Sequence, residues 1–160
     1  AKVLACDISE EALALARENS DANELSNDKL VFAQGDLLNA VTNDILISAG
    51  YSADKKIDCL VANLPYIPDS EKGKLQPEVD KFDPALALYG GTDGLDLVRK
   101  LLQQTEGRLR SEAMIFLEIG SEQADILKAE AINYPWLEFT GHHKDYCGNI
   151  RFVSYRCTRE

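Results

Sequence analysis

The sequence contains no apolar run approaching the ~20 residues that a membrane-spanning helix needs, which excludes a helical span within these 160 residues. It has no cationic excess. Seventeen Lys and Arg stand against 27 Asp and Glu, a net charge of −10, whereas nucleic-acid binders carry a basic patch or stripe. Direct nucleic-acid binding is therefore not expected. There is no C-x-x-C pair: Cys6, Cys59, Cys147 and Cys157 are far apart and have no His at ligand spacing. His142 and His143 are adjacent and point to opposite faces of a strand, so no metal site is expected. Cysteines within apolar runs read as buried, inert thiols of a reducing, cytoplasmic compartment. The chain also lacks an initiator Met and any lead-in loop, opening directly on strand-like Ala1-Lys2-Val3-Leu4. That start is read as a truncation. What is present, 45% hydrophobic and 28% charged residues, suits one globular domain.

Strand-like and helix-like segments alternate. Residues 2–7 form an apolar run ending in an acid; Ser9 then caps a helix that Glu10 and Glu11 open and that reaches about residue 20. Residues 29–34 read as a strand, 37–48 as a weaker helix, and 57–62 as a third strand running into Asn63. A stretch rich in Pro and Gly, 67–92, reads as a long functional loop. Thr92 or Asp93 then caps a helix with a stripe of Leu95, Val98, Leu101 and Leu102. A strand at 113–119, a helix at 122–133 and two strands at 136–142 and 149–157 complete the pattern. Strands separated by helices imply parallel βαβ units in a sheet covered on both faces. The short last connection implies an antiparallel hairpin at one edge.

In such a sheet, ligands bind beyond the carboxyl ends of the strands. Three consecutive strand ends carry polar residues. Asp7 can accept hydrogen bonds from ribose hydroxyls, or it can serve the cap of the following helix. Asp36, after Gly35, can accept from an exocyclic amine, or it can be a turn residue. Asn63-Leu64-Pro65-Tyr66 can be an ordinary turn in which Pro65 forces Leu64 to be extended. Alternatively, the Asn63 side-chain oxygen and the Leu64 carbonyl converge on one planar –NH2 group while Tyr66 stacks on it.

The ordered segments ACDISEEALALAREN (5–19), QGDLL (34–38), VANLPYIP (61–68), DPALALYGGTDGLDLVRKLL (83–102), FLEIGSEQA (116–124) and KDYCGNIRFV (144–153) resemble the release-factor glutamine methyltransferases of the HemK/PrmC type. The resemblance implies a Rossmann-like α/β sheet and the cofactor S-adenosyl-L-methionine. It also implies methylation of a glutamine side-chain amide, in a Gly-Gly-Gln motif, of a class 1 peptide chain release factor. It assigns cofactor contacts to Asp7, Ile8, Asp36, Leu37 and Asn63, and substrate contacts to Asn63, Leu64, Pro65 and Tyr66. Segment 87–94 falls near the mouth of the site and Glu118 near its base.

Two departures accompany this. The family pattern is Asn-Pro-Pro-Tyr, and Leu64 replaces the first proline. The family's first strand, its glycine-rich cofactor loop and its N-terminal helical domain would precede Ala1, so residues 1–160 are expected to be a partial catalytic domain. The absent strand would lie centrally, between 2–7 and 57–62. Two other readings stand beside the main one: an adenine amino-methyltransferase acting on RNA or DNA, and a non-catalytic fragment.

Overall fold

A computed structural model of the chain describes residues 1–25 and 29–159. The chain divides into two compact units, residues 1–55 and 56–160. No helix among the described residues is long and apolar enough to cross a membrane.

The first unit opens with β1 (Val3–Asp7), followed by α1 (Glu10–Ala22) and β2 (Leu30–Gln34). Ser9 has extended backbone angles, and its Oγ accepts the Ala12 N–H at 3.1 Å. Glu10 and Glu11 fill the first turn, where the free amides and helix dipole favour negative charge. The crossover lays β1 and β2 in parallel register, Val3 opposite Leu30 and Asp7 opposite Gln34. The helix expected over 37–48 is broken. A 3-10 turn spans Leu37–Ala40, and α2 (Asn43–Ser48) starts after Thr42, whose hydroxyl accepts the Ile45 N–H at 3.2 Å. That second β-hydroxyl cap explains the break, because a capping residue adopts non-helical angles. Leu13, Ala33, Leu38, Ala40 and Ala49 are buried in this unit.

The second unit holds β3 (Ile57–Asn63), α3 (Pro77–Phe82), α4 (Ala85–Leu88), α5 (Asp96–Gln104), β4 (Leu109–Glu118), α6 (Ala124–Glu130), β5 (Leu137–Lys144) and β6 (Ile150–Cys157). Its sheet order is β3-β4-β6-β5. β3 runs parallel to β4, and β6 runs antiparallel to both β4 and β5. The expected edge hairpin is present, and the sheet is mixed. The stretch 67–92, expected as loop, contains the short helices α3 and α4, the first opened by Pro77 at a position that needs no backbone N–H. Helix α5 begins at Asp96, three residues beyond the expected cap, with Asp93 Oδ1 accepting the Leu95 N–H at 3.1 Å.

The core of this unit is the α5 stripe of Leu95, Val98, Leu101 and Leu102 with Ile115 and Leu117 of β4, Leu127 of α6, and Val153 and Tyr155 of β6. Polar atoms within it are paired. The buried Trp136 indole donates to Thr105 Oγ1 at 2.9 Å, and that hydroxyl donates to the Leu102 carbonyl at 2.6 Å. The Tyr155 hydroxyl donates to the Leu127 carbonyl at 3.2 Å, and burial pushes its phenol pKa upward.

Two expectations are corrected. Only Cys157 is buried, while Cys6, Cys59 and Cys147 are exposed. Coverage of the sheet on both faces fails at β3 and β1, the two strands expected to be left as open edges by an absent neighbour: Val61 is 73% exposed and Val3 is 53% exposed. Cys147 lies in the loop between β5 and β6; the exposure of Cys6, Cys59, Val3 and Val61 has one cause. β1 and β3 are edge strands of their sheets, so an apolar run there is not the signature of burial that it is in a central strand.

Replacing Thr105 with Val keeps the volume and leaves the Trp136 N–H without its partner. The expected loss is about 1–3 kcal/mol, read as a shift in denaturation midpoint by fluorescence of Trp136, the only tryptophan. Unchanged stability would show that the bond contributes nothing.

Candidate functional site

The expected site residues fall in both units. In the first, parallel pairing sets Asp7 opposite Gln34, two residues before Asp36. The Gly35 N–H donates to the Asp7 carbonyl at 2.9 Å, and Gln34 Nε2 donates to the Ile8 carbonyl at 3.3 Å. Asp7 is exposed at the carboxyl end of β1, and its Oδ1 accepts the Ser9 N–H at 2.8 Å. The helix cap itself is Ser9, so Asp7 braces the turn and its Oδ2 accepts nothing from the described residues. Gly35 is required by packing, since a Cβ there would lie 2.9 Å from Ala40 Cα. Leu37 has φ +54°, a left-handed conformation unusual for a γ-branched side chain. Such stored backbone strain gathers at ligand-binding sites, and here it turns the chain directly after Asp36.

In the second unit, Asn63 ends β3 and pairs with Glu118 of β4. It is exposed, and Leu64, Pro65 and Tyr66 after it are half-buried. The turn is held from behind by glycine backbone. A Cβ at Gly90 would stand 2.3 Å from the Pro65 carbonyl oxygen, and one at Gly94, whose φ is +80°, would stand 2.0 Å from the Tyr66 carbonyl oxygen. Only glycine permits so close an approach. Residues 67–69 and 88–91 are then laced by backbone bonds: Ile67 N–H to Leu88 O at 3.0 Å, Gly90 N–H to Ile67 O at 2.9 Å, and Asp69 N–H to Gly91 O at 2.8 Å. Segment 87–94 thus packs against the Asn-Leu-Pro-Tyr turn.

Two side chains that the sequence reading did not single out complete this arrangement. Gln123 is buried. Its Nε2 donates to the Tyr66 and Asp93 carbonyls at 2.9 and 3.0 Å, and its Oε1 accepts the Gly120 N–H at 2.8 Å. The other is Arg151 of β6, whose guanidinium carbon lies 4.9 Å from the Tyr66 ring centroid. Its Nη2 donates to the Tyr66 hydroxyl and, at 3.2 Å, to Glu118 Oε1, which also accepts the Tyr66 hydroxyl at 3.3 Å. Burial disfavours the Arg151 charge, but Tyr66 and Glu118 hold its pKa above the ordinary arginine value. The signal available in the sequence was a lone charged residue in the strand-like run NIRFVSY for Arg151, and none for Gln123, which ends the polar stretch GSEQ.

The glycine segment is anchored on its far side by Arg99. Its guanidinium takes both Asp93 carboxylate oxygens, at 2.9 and 2.6 Å, and both Glu130 oxygens, at 2.9 and 2.7 Å. The Arg99 hydrogen bonds hold the Asp93 carboxyl below the usual aspartate range. Chemically, the turn offers the Asn63 amide oxygen and the Leu64 carbonyl as acceptors and the Tyr66 ring as a planar surface. The first unit offers two carboxylates at adjacent strand ends.

No protein-family model matches the chain. It is 36% identical over 156 residues, 98% of this chain and 50% of the relative, to the release factor glutamine methyltransferase of Deinococcus radiodurans. It is 38% identical over 157 residues, 98% of this chain and 51% of the relative, to that of Moorella thermoacetica. Against the ribosomal protein uL3 glutamine methyltransferase of Bordetella pertussis it is 39% identical over 123 residues, 77% of this chain and 37% of the relative. The chain spans about half the length of the curated relatives it matches. Among solved structures, the ribosomal protein L11 methylase of Lactobacillus delbrueckii subsp. bulgaricus superposes with a TM-score of 0.63 at 16% identity, over 99% of this chain and 58% of its own. The N-terminal domain of human METTL16, in complex with SAH, gives 0.61 at 15% identity, over 99% of this chain and 53% of its own. These two place the fold among α/β methyltransferases.

Gln123→Leu keeps the apolar packing and strands the Gly120 N–H and the Tyr66 and Asp93 carbonyls. The expected loss is about 1–3 kcal/mol for each group left buried without a partner, measured as the shift in urea midpoint. A midpoint within error of wild type would mean that Gln123 does not hold the turn.

Proposed function

We propose, for a chain that belongs by sequence to the release factor glutamine methyltransferase family, that the protein it contributes to methylates the side-chain amide of a glutamine, the Gly-Gly-Gln glutamine of a class 1 peptide chain release factor. One observation carries this reading: the Asn63–Tyr66 turn at the carboxyl end of β3 is fixed by backbone contact from Gly90 and Gly94, while Asn63 itself stays exposed. Two acceptors are thus preorganised where a planar –NH2 group can reach them.

An amide nitrogen is a poor nucleophile, because its lone pair is delocalised into the carbonyl. Accepting both N–H bonds, at the Asn63 oxygen and the Leu64 carbonyl, orients the nitrogen and draws charge from its protons as it becomes positive. Positioning of this kind supplies roughly 7–11 kcal/mol of barrier reduction, and fixed dipoles add to it. Tyr66 presents one ring face to Arg151, so a stacked amide uses the opposite face. S-adenosyl-L-methionine supplies the electrophilic methyl group. The residues of the first unit suited to hold it are Asp7, whose Oδ2 accepts nothing from the described residues, with Ile8, Asp36 and the strained Leu37. The donor set fits, since a ribose diol and an adenine amine both present hydrogens to carboxylates.

The family's shared chemistry favours a protein amide over an adenine amine, and the net charge of −10 disfavours an RNA or DNA substrate. The likeness to a uL3 glutamine methyltransferase makes uL3 the relevant competing substrate. Full-length protein with labelled cofactor is therefore offered purified release factor, uL3 and ribosomal RNA in parallel, and the products are mapped by mass spectrometry. Label on the Gly-Gly-Gln glutamine is expected. Label confined to uL3 would replace the substrate, and label on RNA alone would overturn the reading.

Asn63→Ala is expected to lower kcat/KM about 10²–10³-fold, the range for removing one preorganised group, with cofactor affinity nearly unchanged. Asp7→Asn is expected to do the reverse, weakening cofactor binding about 10–100-fold, as for a hydrogen bond to a charged acceptor at 1.5–3 kcal/mol. Calorimetry and steady-state kinetics separate the two. Cofactor affinity that falls with Asn63 would mean its role has been misassigned.

A further inference from the structure

Arg151 has no part in the amide contacts described above, yet it touches the ring that forms one wall of the site. It approaches Tyr66 in two ways at once: the guanidinium carbon lies 4.9 Å from the ring centroid, and Nη2 donates to the ring's hydroxyl. A planar guanidinium can do both, whereas an ammonium is a point charge that cannot. Arg151 is itself fixed. Glu118, opposite Asn63 in the β3–β4 ladder, takes the Arg151 Nη2 at 3.2 Å and the Tyr66 hydroxyl at 3.3 Å on one oxygen, Oε1. Arg151 and Glu118 are 27% and 26% exposed at their side chains, so the triangle is partly shielded from water. It stands on three segments, the turn after β3, the end of β4, and β6. Gln123 holds the backbone of Tyr66 but does nothing to orient its ring.

We propose that Arg151 is a positioning residue: with Glu118 behind it, it fixes the plane of the Tyr66 ring, and so the plane in which the substrate amide lies between the ring and the acceptors at Asn63 and Leu64. This rests on the amide-transfer reading of the Asn63–Tyr66 turn. Without Arg151 the ring turns about its Cα–Cβ bond and the amide is presented out of line. The effect falls on alignment and so on kcat, and the cofactor-binding residues Asp7 and Asp36 are not involved.

The test uses the full-length protein in a double-mutant cycle. Arg151→Met is expected to lower kcat about 10–100-fold, the scale of a misalignment near 1 Å, with the cofactor dissociation constant unchanged. Arg151→Lys recovers little of it, because the fork is lost. In a Tyr66→Ala background the same Arg151→Met change is expected to cost less than about threefold, since a residue acting through Tyr66 has nothing left to act on. Losses that multiply in the double variant would overturn the proposal, as would full rescue by Lys. A second readout does not depend on turnover. With fluorotyrosine incorporated and the Tyr66 resonance assigned through Tyr66→Phe, Arg151→Met shifts or broadens that fluorine signal. An unmoved signal overturns the proposal. If the wild-type protein methylates no glutamine, the amide-transfer reading fails separately, and the ring signal alone decides the role of Arg151.

Discussion

The second unit depends on one steric constraint: the carbonyl oxygens of Pro65 and Tyr66 occupy the space where side chains at positions 90 and 94 would be. Glycine backbone is the only surface that can approach a turn so closely. Because the contact is backbone against backbone, it fixes the path of Asn63–Tyr66 without any side chain that could change rotamer. Everything proposed for the site follows from a rigid turn whose outward face stays free. Asn63 belongs to that face.

Polar groups around the turn convert this close fit into a bonded one. Gln123 satisfies three backbone groups from three segments, and Arg99 ties Asp93 to Glu130 of α6. A buried amide with unfilled bonds would be a liability, but every arm of Gln123 has a partner. The glycine segment is therefore held on one side by Gln123 and on the other by the Arg99 fork, with the turn packed against it. Charge and hydrogen bonding serve geometry here, and the contribution to function is precision of position.

The alternation of strands and helices, the α5 stripe and the edge hairpin were all legible in the sequence, because each is written in local periodicity or in connection length. The Ser9 cap was legible for the same reason. The helix expected over 37–48 failed because Thr42 was not recognised as a second cap. Cys6 and Cys59 were misjudged because an apolar run was read as buried although it lies at a sheet edge: Cys59 and Val61 look like core and lie on the edge strand β3. Asn63 and Tyr66 could be found because they follow a strand directly. Arg151 and Gln123 could not, since their meaning arises from contacts 85 and 57 residues away in sequence.

These long-range contacts also account for Leu64. A proline at that position would stiffen the turn from within, by restricting φ and by confining the residue before it to extended angles. Leucine gives up that restraint and keeps the carbonyl, the only group the proposed chemistry needs from the residue. The missing stiffness is replaced from outside by the glycine backbone against the Pro65 carbonyl, by the Gln123 bond to Tyr66, and by the ladder between residues 67–69 and 88–91. With Pro65, Tyr66 and Ile67 restrained, Leu64 keeps little freedom to lose. The substitution therefore alters the means by which the turn is held and keeps the backbone carbonyl on which the proposal draws.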